Sequence, residues 1–193
     1  DPILSHQGRA VAFKGDSSEV TVEVALEFIR KCAQQQERRP FLAVVWFGSP
    51  HSPHQALPED RDRYADRPRA ERDFLGEITA MDRAVGKLRS ELRELGLRDN
   101  TLLWYCSDNG GINGPKSTGH LRGSKGTLWD GGLRVPGIVE WPARIAKPFV
   151  SDVPCSTLDI YPTILAATGT RAEKQIQPLD GINLLPLFDG QMN

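Results

Sequence analysis

Leu102-Leu103-Trp104-Tyr105-Cys106-Ser107-Asp108-Asn109-Gly110-Gly111 is the stretch on which the fold class turns. Its apolar and aromatic first half has the character of a buried strand, and it stops abruptly at a carboxylate, a carboxamide and two glycines. In an open α/β sheet, ligands sit beyond the carboxyl ends of strands, so Asp108 and Asn109 are placed where a site is expected. Both offer hard oxygen donors, which suit calcium or magnesium better than a soft metal. On these ten residues alone an ordinary Asx turn closing a strand remains open.

Immediately upstream, Leu75, Ile78, Met81, Val85, Leu88, Leu92 and Leu95 recur at spacings of three and four. That is the pattern of an amphipathic helix, with Gly96 placed to end it. Residues 58–73 mix Arg, Asp and Glu and read as a solvated loop or helix face. Further back, Phe41-Leu42-Ala43-Val44-Val45-Trp46-Phe47 contains no polar residue, as expected of a strand buried on both faces of a parallel sheet. It runs into Gly48-Ser49-Pro50-His51-Ser52-Pro53-His54, where prolines on both sides of His51 stiffen the loop. Val20, Val24, Phe28 and Cys32, with Ala25 and Ile29 beside them, predict a first helix, capped by Asp16 or its neighbours. A short strand is expected over 9–13.

Downstream, residues 110–126 hold six glycines, a density that signals either flexibility or close backbone approach. A strand is expected over 136–141 and a helix over 157–168, closed by Gly169. The irregular, leucine-rich tail over 178–193 is expected to pack against something. Helices alternating with strands in this order predict an α/β fold with a mostly parallel sheet flanked by helices.

Composition narrows the function. A net charge of −1 over 193 residues lacks the basic excess of a sequence-independent nucleic-acid binder. No apolar run approaches the roughly 20 residues of a membrane span. Cys32, Cys106 and Cys155 show no CxxC spacing and read as small buried apolar residues.

Taken together, Ser107-Asp108-Asn109-Gly110-Gly111, Leu121-Arg122-Gly123-Ser124-Lys125-Gly126-Thr127 and Asp130-Gly131-Gly132-Leu133-Arg134-Val135-Pro136 resemble the sulfatase family, whose type is the arylsulfatase. Pro50-His51-Ser52-Pro53, Leu158-Asp159-Ile160-Tyr161-Pro162-Thr163 and Leu179-Asp180-Gly181-Ile182-Asn183-Leu184 extend the resemblance over roughly residues 40–190. The resemblance implies part of an alkaline-phosphatase-like sandwich. Carried over by position, it implies that Asp108 and Asn109 are ligands of calcium. It assigns Lys125 to the sulfate group and His51 to the sulfate and leaving oxygen, both as catalytic and substrate-binding residues.

These residue types suit the chemistry. A sulfate ester is an anion whose non-bridging oxygens need positive charge before a nucleophile approaches, and a histidine can protonate the departing alkoxide. The family's nucleophile is a formylglycine made in a C/S-x-P-x-R motif, and no Cys or Ser of this chain begins that pattern. The family's upstream acidic pair and its upstream Lys and His are also missing. The resemblance therefore implies that 1–193 is the C-terminal portion of a catalytic domain, with 170–193 leading into a C-terminal subdomain, and that this portion alone is inactive. It further implies a sulfated glycan or aryl sulfate as substrate and an exported (periplasmic, extracellular or lysosomal) parent. Two alternatives stand beside it: a phosphonate or phosphodiester hydrolase of the same superfamily, and a non-catalytic binder of sulfated glycans.

Overall fold

The computed structural model describes residues 1–37, 39–112, 114, 117–173, 175 and 177–192. They form two compact units, 1–98 and 99–193.

The first unit opens with a hairpin, β1 (Ile3–His6) and β2 (Arg9–Ala12), paired antiparallel with Ile3 opposite Ala12. Gln7 and Gly8 turn it with φ of 52° and 78°, the left-handed pair that matches strand twist in a two-residue loop. β2 lies where a strand was expected, and β1 lies where none was. Helix α1 (Ser17–Ala33) begins at Asp16, whose side chain accepts the Ser18 N–H at 2.8 Å. Its buried face is Val22, Leu26 and Ile29; Ile29 lies on the expected face, but Val20, Val24, Ala25 and Cys32 are only half-buried and Phe28 remains 45% exposed.

A short α2 (Pro58–Arg61) and a 3₁₀ turn (Asp62–Tyr64) lead to α3 (Arg69–Glu94), which packs against both α1 and α2. Phe74, Glu77, Met81, Ala84, Leu88 and Leu92 make its buried face. Met81, Leu88 and Leu92 belong to the expected stripe, whereas Leu75, Ile78, Val85 and Leu95 are only half-buried. Gly96 follows the helix with φ 66°, as the end signal predicts. The charge run over 58–73 is not uniformly solvated. Asp60 is 1% exposed and receives both Arg83 terminal nitrogens, at 2.6 and 2.8 Å.

Residues 41–47 depart from expectation. They join no strand ladder among the described residues, and Leu42, Val44 and Trp46 are exposed while Phe41, Ala43, Val45 and Phe47 are half-buried. Alternation residue by residue is the period of an extended chain, but a strand buried on both faces needs neighbouring strands to supply its ladder and cover. The expected mostly parallel sheet is likewise not seen among the described residues, whose strands pair only antiparallel, two by two.

In the second unit, β3 (Leu103–Cys106) pairs antiparallel with β4 (Gly137–Glu140), Leu103 opposite Glu140 and Cys106 opposite Gly137. Between them lies α4 (Asp130–Leu133). A 3₁₀ turn (Thr157–Asp159) runs into α5 (Ile160–Thr168), capped by Gly169 at φ 65°. The tail does pack. Around α6 (Leu185–Phe188), Leu184, Leu185, Leu187 and Phe188 are buried against Trp104, Val139, Trp141 and Ile145, with Phe188 edge-on to Trp104 at 6.0 Å.

Buried Asp159 ties this tail down. Its two carboxylate oxygens accept the Ser156 N–H at 2.6 Å and the Ile182 N–H at 2.8 Å, while Thr163 Oγ1 accepts from Leu184 N at 2.9 Å. Gly181 has to be glycine, since a Cβ there would lie 2.1 Å from the Leu158 carbonyl oxygen. The cysteines are free thiols. Cys32 and Cys106 are half-buried, but Cys155 is exposed, so the buried-apolar reading fails there; it sits in the irregular segment before α5 instead of on a packed face. No helix among the described residues is long and apolar enough to cross a membrane.

Candidate active site

Three glycine-rich stretches meet in the second unit. Leaving β3, Gly110 N–H donates to the Gly132 carbonyl at 3.0 Å, and Gly131 N–H donates to that of Arg122 at 2.7 Å. The Lys125 N–H donates to the Gly111 carbonyl at 2.7 Å. Glycine is required by contact here. A Cβ on Gly110 would stand 2.1 Å from the Gly131 oxygen, one on Gly131 2.2 Å from the Gly123 oxygen, and one on Gly132 2.2 Å from the Thr127 oxygen. Backbones this close leave no volume for any side chain. Thr127 adds a brace, its hydroxyl donating to the Ser124 carbonyl at 2.8 Å.

This knot brings the Lys125 backbone beside that of the Asp108–Asn109 loop. With Lys125 N bonded to Gly111 O, and Gly111 three residues beyond Asp108, the reach of the chain confines the two Cα atoms to within about 16 Å. Asp108 is exposed, Asn109 half-buried and Lys125 exposed. Ser107 Oγ donates to the Asn109 carbonyl at 3.0 Å, closing the loop as an ordinary turn would while leaving the Asp108 carboxylate outward. Among the described residues no side chain pairs with the Asp108 carboxylate or the Lys125 ammonium. Arg122 is engaged, its guanidinium 3.5 Å over the Trp129 ring.

The cation implied by the resemblance fits these residues as a partial shell. A carboxylate and a carboxamide in sequence are hard donors of the right kind. No group of three or more His, Cys, Asp or Glu suited to a metal occurs among the described residues, so the remaining ligands would have to come from elsewhere. Burial, and secondarily the Asp108 charge, push the Cys106 thiol upward, away from nucleophilic thiolate.

His51 belongs to the first unit. It is exposed, and its N–H donates to the Gly48 carbonyl at 3.0 Å. Nδ1 lies 2.8 Å from the Ser52 carbonyl oxygen; a carbonyl only accepts, so Nδ1 carries the hydrogen and Nε2 is left for a ligand. The loop folds onto itself through His54 Nε2, which donates to the Pro50 carbonyl at 3.1 Å.

With that geometry in place, similarity to known proteins is decisive. The Sulfatase family model matches residues 3–170. The chain belongs to the sulfatase family. Rat (Rattus norvegicus) steryl-sulfatase is 32% identical over 93% of this chain, and dog (Canis lupus familiaris) N-acetylgalactosamine-6-sulfatase 33% identical over 91%. Among solved structures, Ps i-CgsB in complex with k-i-k-neocarrahexaose is 32% identical with a TM-score of 0.86 over the whole chain. The sulfatase chain described here spans 31% and 33% of the two curated relatives and 42% of that solved chain. As a sulfatase it is a piece of an alkaline-phosphatase-like α/β fold, so the expected class holds even though the pairing seen within it is antiparallel.

Two features of this sulfatase went unread in the sequence. The Gly131–Gly132 pair is a wall against which the Gly110 backbone rests. Glu77, a charged residue in a polar-looking helix, is 5% exposed beneath the His51 loop. Its spacing from Phe74, Met81 and Ala84 on one helical face was the available signal.

Proposed function

We propose that this chain forms part of the catalytic domain of a sulfate-ester hydrolase, working within a longer polypeptide. The observation that carries the proposal is the glycine knot, which lashes the Lys125 backbone to the turn carrying Asp108 and Asn109. In this reading Asp108 and Asn109 hold a calcium ion together with ligands from the rest of the polypeptide. When bound, the ion supplies fixed positive charge to the sulfate oxygens. Lys125 extends a second positive charge toward the same anion, stabilising the charge that grows as the S–O bond breaks. His51, its Nδ1 hydrogen committed to Ser52, presents Nε2 to the leaving oxygen and, once protonated, delivers the proton there. A formylglycine nucleophile would come from the preceding part of the polypeptide.

The substrate is proposed to be a sulfated glycan or an aryl sulfate. The dog relative is named for N-acetylgalactosamine 6-sulfate chemistry, and the solved relative is titled as a neocarrahexaose complex. Export from the cytosol is part of the same proposal, by the family resemblance.

The test is Lys125→Ala in the full-length enzyme. Loss of an oxyanion-stabilising cation is expected to lower turnover of an aryl sulfate by about 10²–10³ with the fold intact. Unchanged turnover would remove Lys125 from the site, and faster cleavage of an aryl phosphonate than of an aryl sulfate would reassign the reaction.

A further inference from the structure

The loop bearing His51 is seated on α3 by a set of contacts that the proposed chemistry does not use. Gly76 lets the chain come close, for a Cβ there would lie 2.5 Å from Ala56 Cβ and 3.0 Å from Arg61 N. Asp73 Oδ1 accepts the Ala56 N–H at 3.2 Å, and the Phe74 ring meets His54 edge-on at 5.2 Å. At the centre is Glu77. One of its oxygens, Oε1, accepts the Gln55 N–H at 2.6 Å, while the other, Oε2, is fully buried with no hydrogen-bond partner.

A buried carboxylate is costlier to keep than an apolar side chain of the same volume. An apolar residue would fill the same place on a helix face otherwise made of Phe74, Met81, Ala84 and Leu88. A leucine there could accept nothing from the loop, whereas the carboxylate faces the Ser49 hydroxyl and accepts the Gln55 N–H. From there the chain runs one residue back to His54, whose ring is clamped between Phe74 and the Pro50 carbonyl next to His51.

We propose that Glu77 is a positioning residue: by gripping the Gln55 amide it fixes His54, and through His54 the Pro50–His51 backbone, so that His51 Nε2 is held in one direction. This rests on His51 acting as proton donor to the leaving oxygen. The groups facing Glu77 are Ser49, His54 and Gln55 from the loop and Asp16 from the start of α1. Burial, and then the Asp16 charge, push its carboxyl above the usual range, opposed by the Gln55 N–H, by His54 and by the Ser49 hydroxyl, and the geometric tie to the loop is the Gln55 N–H bond.

The leaving group separates positioning from mere folding. An alkyl alkoxide needs a proton to depart and 4-nitrophenolate does not. In the full-length enzyme, His51→Ala should lower kcat about 10²-fold on an alkyl sulfate and far less on 4-nitrophenyl sulfate. Glu77→Leu should reproduce that imbalance at about tenfold or more, as misplacement of a catalytic group does, and add little in the double variant. Glu77→Gln keeps an acceptor oxygen and should restore the balance, while Glu77→Asp, with its shorter reach, should not. Hydrogen exchange over 49–56 should quicken in the leucine and aspartate variants and remain slow in the glutamine variant.

Equal losses on both substrates in the Glu77 variants, or unchanged exchange over 49–56, would overturn the role of Glu77. Equal losses in His51→Ala, with exchange still responding to Glu77, would instead overturn His51 as the proton donor. If the leucine variant does not fold, the aspartate and glutamine variants decide by the same two readouts.

Discussion

Asp60 shows how one side chain's surroundings can reverse its apparent meaning. It stands in a mixed run of charges that looks wholly solvated, yet its side chain is 2% exposed and bonded by both terminal nitrogens of Arg83. Those hydrogen bonds, and then the guanidinium charge, hold the Asp60 carboxyl below the usual range against the opposing pull of burial. A lowered folded-state value means the pair stabilises the fold above the ordinary aspartate pKa, and the contribution fades as pH falls through the lowered value. Arg83→Ala leaves that carboxylate buried without its partner. We expect a loss of about 2–4 kcal/mol at neutral pH, below the fully buried range because Arg83 is 41% exposed. The loss should shrink toward pH 3, as urea unfolding at the two pH values would show. Asp60 was not legible beforehand, because burial of a charge depends on a partner that lies far along the chain, and Glu77 was signalled only by its place on the buried face of α3.

Elements were more legible than residues. Helices α1, α3 and α5 declared themselves through apolar spacing and their end signals, and β3 and β4 through short apolar runs between turn residues. What spacing gave less well was rotation. On α1 and α3 the buried face is turned from the expected stripe, because helices rich in apolar residues leave a choice that only the packed partner resolves. The stretch between β3 and β4 was legible as glycine-rich but not as a rigid knot, since two physical causes produce the same composition. Gly131→Ala distinguishes them. A methyl 2.2 Å from the Gly123 carbonyl must move backbone that hydrogen bonds fix on both sides. The expected cost is at least the ~1–3 kcal/mol of an overpacked site, lowering Tm on the order of 5 °C. A flexible loop would absorb the methyl with no change.

At the scale of the whole molecule, the carry-over of Asp108, Asn109, Lys125 and His51 gave a coherent chemistry but an incomplete one. These positions stood out as candidates because they sit in short polar and glycine-rich motifs. The pairing of 41–47 was not legible, because an apolar run does not say which strands it will pair with, and among the described residues it joins no ladder. The 193 residues alone are expected to give no measurable turnover of an aryl sulfate with calcium supplied, since their sequence holds no formylglycine motif and the described residues form no three-residue metal shell. Steady hydrolysis by the purified chain would contradict that directly. The same segment 41–47 has an optical consequence. Trp46 is 85% exposed, more than any other indole here, on an apolar ladder beside Leu42 and Val44. An indole in water emits at longer wavelength than one in an apolar contact, so the colour of Trp46 fluorescence reports whether that ladder is bare or covered.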